Sequence, residues 1–165
     1  RKTAESESAF DLLLSDNPDN PVALAYTGSI IALRGGEASP LVAVELMADA
    51  YRYLDRAVSL AETPEQIITA RLNRAYVSRA IPETVFGKAR QGAEDFLAAA
   101  SALASVSADP ADIAGAWVDA AYCFELTGAA EEAGTWLREA ERLIRGRTVP
   151  ASLERALLER GYGTK

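Results

Sequence analysis

The chain reads as all-α, and three observations carry that reading. Apolar residues recur at spacings of three and four, as in Leu54, Ala57, Val58, Ala61 and again in Trp136, Leu137, Ala140, Leu143, Ile144. A capping side chain stands before proline at Asn20-Pro21, Ser39-Pro40, Thr63-Pro64 and Asp109-Pro110, the chemistry of a helix start. Convincing alternation at period two, which a half-buried strand would need, is missing.

Taken in order, the periodic segments place helices near 3–15, 20–34, 39–62, 64–80, 88–106, 110–127, 130–146 and 151–160. The second opens on Asn20-Pro21 and is expected to stop at Gly35-Gly36. The fourth opens on Thr63-Pro64, where Gln66 completes a capping box. The sixth opens on Asp109-Pro110. Gly128, Gly146 and Gly161 fall where later helices should end, because glycine takes the left-handed cap conformation without strain. Between helices four and five lies "IPETVFGK", Ile81 to Lys88, read as a loop exposing Val85 and Phe86 between Pro82 and Gly87. This loop is a candidate binding element, with Phe86 plugging a groove between neighbouring helices as the alternative.

Composition narrows the function. With 165 residues and almost half of them apolar, the chain can bury one core or build a short repeat array. Its net charge of −7 argues against nucleic acid as a partner, since that affinity rests on neutralising phosphates. Nor is there a polybasic segment for an anionic membrane, or an apolar run of the roughly 18 residues that a span requires. No membrane insertion is expected. The chain reads as soluble, and the compartment stays open: cytoplasmic, or periplasmic if a signal was removed before residue 1.

Histidine is absent, which removes the usual acid–base side chain near neutral pH and the commonest zinc ligand. Cys123 is the lone cysteine, so it forms no intramolecular disulfide; between Tyr122 and Phe124 it reads as a packed thiol. The paired carboxylates Glu94-Asp95 and Glu131-Glu132 diverge by about 100° on a helix, so neither pair converges on one site, and both read as solvated surface. No phosphate loop, nucleophile elbow or metal-spaced cluster appears. The expectation is a non-enzyme with no cofactor and no metal.

One stretch is denser in information. In "AWVDAAYCFELTGAAEEAGTWLREAERL", Trp117 is followed by Ala120-Ala121 and Phe124, Gly128 makes the turn, and Ala133, Leu137 and Ala140 follow. This resembles the tetratricopeptide repeat, although Arg145 sits about where the family's closing proline would fall. Earlier segments echo it: Leu24, Gly28 and Ile31 with Ala50, Leu54 and Ala57, then Ala93, Leu97 and Ala100, where Arg74 replaces the usual small residue. Residues 39–49 extend one helix beyond what the repeat requires.

The resemblance implies a single domain over 1–165, an α-α superhelix of about eight helices in antiparallel pairs. Its units are a partial one at 1–20, then 21–63, 64–108 and 110–147, with a capping helix at 150–161. Unit lengths near 40 exceed the family's 34, so an irregular helical bundle is the competing architecture. The small residues then serve close stacking, and Trp117, Phe124 and Leu137 fill the gaps.

The resemblance also implies a scaffold whose first helices line a groove for a peptide segment or partner helix. The groove candidates are Val118, Tyr122 and Glu125 in the last full unit. The matching face of the 21–63 unit holds Val22, Ala25, Ser29 and Leu33, and the next holds Arg71, Arg74 and Ser78. Asn73, Arg71 and Arg74 share one helix and no lysine joins them, which does not fit the family's clamp for a C-terminal carboxylate. A small-molecule or lipid-binding helical module is the alternative function.

Overall fold

The computed structural model describes residues 12–163, and all regular structure among them is helical. Residues 12–16 are helical; the rest of the helix expected at 3–15 lies outside the described residues. The helices that follow are α1 (Pro21–Glu37), α2 (Pro40–Leu60), α3 (Pro64–Ala80), α4 (Glu83–Phe86), α5 (Ala89–Ser105), α6 (Pro110–Leu126), α7 (Ala130–Ile144) and α8 (Ala151–Leu158). The fold divides into two compact units, one ending at Val77 and the other starting at Ser78, within α3.

Local chemistry explains the helix starts. Asn20 Oδ1 accepts the N–H groups of Val22 and Ala23 at 3.0 and 3.1 Å. The capping box forms: Gln66 N–H donates to Thr63 Oγ1 at 3.3 Å, and Gln66 Oε1 accepts from Thr63 N–H at 3.2 Å. Asp109 Oδ1 accepts from Ala111 N–H at 2.8 Å. Ser39 makes no such bond, so α2 starts on Pro40 alone.

In the N-terminal unit α1 packs along α2. The expected stop at Gly35-Gly36 does not occur, because α1 continues to Glu37. Gly35 is buried there, and a β-carbon on it would come within 2.5 Å of Met47 Cε. Two turns earlier, a β-carbon on Gly28 would meet Leu54 Cγ at 2.6 Å and the Ala50 carbonyl oxygen at 2.9 Å. These glycines serve close approach of the two helices. Leu24, Ala25, Ala57 and Ala70 form the core behind them, with Leu14, Tyr53 and Val58 packed against it.

In the C-terminal unit α6 packs against both α5 and α7, and α8 lies on α6. Ala120, Ala121, Ala133 and Ala140 are buried, as are Phe124 and Leu137. Trp117 is half-buried and meets Trp136 across the α6–α7 pair, ring centroids 5.8 Å apart. Gly128 turns the chain between these helices at φ 76°, a left-handed conformation that strains other residues. On α5, Phe96 is fully buried while Leu97 is half-buried, so the side chain the repeat pattern selects is not the one at the centre.

Two further expectations are corrected. The "IPETVFGK" segment is not an irregular loop: Glu83–Phe86 forms one helical turn, closed by Gly87 at φ 60°. Glu83 Oε2 accepts the Ala89 N–H at 2.6 Å and so satisfies the start of α5, where Lys88 offers no capping oxygen. Asp95 is not solvated but fully buried, whereas Glu94, Glu131 and Glu132 are exposed. The 100° step from Glu94 turns Asp95 inward.

Cys123 has no exposed surface, and burial pushes its thiol up to about 12 from an ordinary 9.0, only partly opposed by the Arg79 charge. The buried thiol is therefore neutral and poorly nucleophilic. A thiol reagent at pH 8 should react only as fast as the unit opens, and at full rate in denaturant. The alkaline stability profile follows from linkage. Below about pH 9 the thiol is protonated in both folded and unfolded chains and stability is unaffected. Between about 9 and 12 only the unfolded thiol ionises, so stability falls as pH rises. Urea midpoints across that range should fall less steeply for Cys123→Ala.

Candidate functional site

The residues named from the sequence differ in exposure in the fold. Arg74 turns inward, with 9 % of its surface exposed, and its Nη1 pairs with Asp55 Oδ1 at 2.6 Å. Ser78 is buried as well, and Arg71 is half-buried. The expected wedge of Arg71, Arg74 and Ser78 is thus no open surface. Val118 is also buried, which removes it from the stripe with Tyr122 and Glu125. The reason is helical geometry: the α6 edge that stays outside runs at intervals of three, through Asp119, Tyr122 and Glu125. On the matching α1 face, Ala25 is in the core, Val22 and Ser29 are half-buried, and Leu33 is exposed. Ser29 Oγ hydrogen-bonds to Asn73 Oδ1 at 2.7 Å.

What the fold assembles instead is an arginine–tyrosine cluster on the C-terminal unit. Tyr122 remains 37 % exposed. The Arg79 and Arg160 guanidinium carbons each lie 5.7 Å from its ring centroid, within cation–π range. Each arginine is held by a carboxylate from the same α6 edge. Arg79 pairs with Asp119. Arg160 Nε donates to both oxygens of Glu125, at 3.0 and 3.2 Å, and its Nη1 donates to the Ala156 carbonyl at 3.0 Å.

Two cations and two anions surround one aromatic ring, so the local charge balances. The edge is amphipathic: an aromatic face with guanidinium donors beside it, continued by exposed Leu126. Such a surface suits a segment that offers both an apolar side chain and hydrogen-bond acceptors. Tyr122 and Glu125 were named from the sequence as groove candidates, together with Val118. Arg79, Asp119 and Arg160 were missed, the arginines lying 40 and 35 residues from their carboxylates.

Elsewhere the chemistry is sparse. Val85 is 63 % exposed and Phe86 half-buried on α4. An open depression of about 290 Å³ on the N-terminal unit is lined by Arg52, Tyr53 and Arg56. Both arginines are paired, Arg52 with Asp49 at 3.1 Å and Arg56 with Asp19. Among the described residues, no group of three His, Cys, Asp or Glu side chains is placed to hold a metal ion. No helix among them is long and apolar enough to cross a membrane. Compared with known families, curated proteins and solved structures, the chain matches none.

Proposed function

We propose that this protein is a non-catalytic interaction scaffold whose helix pairs belong to a tetratricopeptide-like superhelix, and that it takes a peptide segment or partner helix along the α6 edge. The observation that carries the reading is Tyr122, left exposed beside two guanidiniums on a helix otherwise packed on nearly every side. Tyrosine and arginine are the residues that most often dominate binding at interfaces. The small residues at the helix contacts, Gly28 in one unit and Ala120 and Ala121 in the other, support the stacked-pair architecture. Neither nucleic acid nor a metal has a place in this reading.

A random peptide library displayed on phage and selected against the whole chain tests it. Selected peptides, remeasured by fluorescence anisotropy, should bind Tyr122→Ala roughly 10- to 30-fold more weakly, the range of a central interface anchor. The ring is not part of the buried core, so helix content should hold, and the melting point should fall only by the loss of the Arg79 and Arg160 contacts, about 0.5–1 kcal/mol each. Undiminished affinity for a folded Tyr122→Ala protein would move the working surface away from α6.

A further inference from the structure

We infer that α8 is an intramolecular occupant of a helix-docking face on α6. Its rival is a partner helix with leucines four residues apart and an arginine three residues beyond the second. This deepens the scaffold reading and rests on it. The register is that of α8 itself: Leu153 and Leu157 are its buried residues, and Arg160 follows at the clasp with Glu125 and Tyr122.

Three features make α8 replaceable. It has eight residues, too few for a helix to persist alone, so its shape depends on the surface beneath it. Only those two leucines are buried, against eight residues of α6. The connection over 145–150 carries no helix, includes Gly146 at φ 75° and ends at Pro150, so α8 can leave without dragging α7. The receiving groups belong to α6 and stay when α8 goes. Glu125 and Tyr122 meet an incoming arginine as they meet Arg160. Beyond α8, Gly134 on α7 leaves room for the chain: a β-carbon there would stand 3.4 Å from the Tyr162 hydroxyl. A foreign helix is favoured over α8 of a second copy, because bringing together two chains of net charge −7 adds a repulsion that a less acidic partner avoids.

A partner must therefore compete with a tethered helix, and its apparent affinity is reduced by the small fraction of molecules with the face open. The test uses the full chain and a labelled synthetic peptide spanning 150–163 as the probe. Leu153→Ser/Leu157→Ser in the full chain releases α8 without altering the face. Arg160→Ala loosens it while keeping both leucines, in case the double variant misfolds.

Relative to wild type, the double variant should bind the probe roughly 30-fold or more tightly and Arg160→Ala roughly 3- to 10-fold. Adding Glu125→Gln to either should lower that affinity. In the wild-type chain, amides of α8 should exchange with solvent far faster than those of α6. Equal probe affinity in wild type and both variants would overturn the competition, as would α8 amides protected like those of α6. Probe binding that is equal in all three but lost in Tyr122→Ala would leave the proposed function standing and remove only this inference. A wild-type dimer formed by exchange of α8, seen by sedimentation, would overturn the choice of a foreign helix.

Discussion

Phe96→Ala should lower the stability of the protein by about 3–5 kcal/mol, among the largest effects available to a single substitution here. Phe96 is the largest side chain with no exposed surface among the described residues. Its removal forfeits the transfer free energy of a phenyl ring and leaves a cavity that close-packed surroundings fill only in part. Its neighbours on the buried face of α5 are Gly92, Ala93, Ala99 and Ala100, which are too small to swing into the gap. Val85→Ala is the control: Val85 is 63 % exposed, so its loss should stay within about 0.5 kcal/mol. Urea unfolding followed by circular dichroism reads both, as a drop in midpoint for Phe96→Ala with the slope conserved. A midpoint shared by the two variants would mean that the α5 side chain is not locked in the core.

The same residue shows where reading the sequence fails. Apolar spacing at three and four told helix from strand, and short-range chemistry at Asn20, Thr63–Gln66 and Asp109 located the helix starts within a residue or so. Those signals are local. Which side of α5 faces inward was not local, because Phe96 and Leu97 are both apolar and differ by one 100° step. Aligning the segment to a repeat selected Leu97; packing selected Phe96. Asp95 went the same way, read as surface from its charge and buried by its neighbours' register. Along α6, helical spacing grouped Tyr122 and Glu125 with Val118, which is buried, whereas Asp119 lies on their edge and pairs with Arg79. Nothing in the local pattern could attach Arg79 or Arg160 to them, since those pairings exist only once α3, α6 and the end of α8 are in place.

Gly35-Gly36 failed for a related reason, and glycine in α1 yields the other large prediction. A pair of glycines ends a helix only when nothing outside the helix rewards continuation, and here Met47 of α2 fills the space above Gly35. Three glycines in one helix therefore have three different environments. At Gly28 an added methyl would sit 2.6 Å from Leu54 Cγ and 2.9 Å from the Ala50 carbonyl oxygen. The leucine is itself fully buried and the second atom is backbone, so neither can yield without moving α1 off α2. Gly28→Ala should destabilise by about 1–3 kcal/mol, the usual cost of overpacking, even after the roughly 1 kcal/mol that alanine contributes to helix propensity. Gly28→Leu should prevent the α1–α2 pair from forming. Gly36 is also helical but has no atom within 4 Å of the β-carbon position, so Gly36→Ala meets only the propensity gain. It should stabilise the protein, by up to about 1 kcal/mol and less so near the helix end, where fraying weakens the benefit. Melting temperatures of the two alanine variants should then move in opposite directions from wild type. A rise for both would show that α1 and α2 stand farther apart than the Gly28–Leu54 contact requires, and with that the close stacking of the first helix pair would fall.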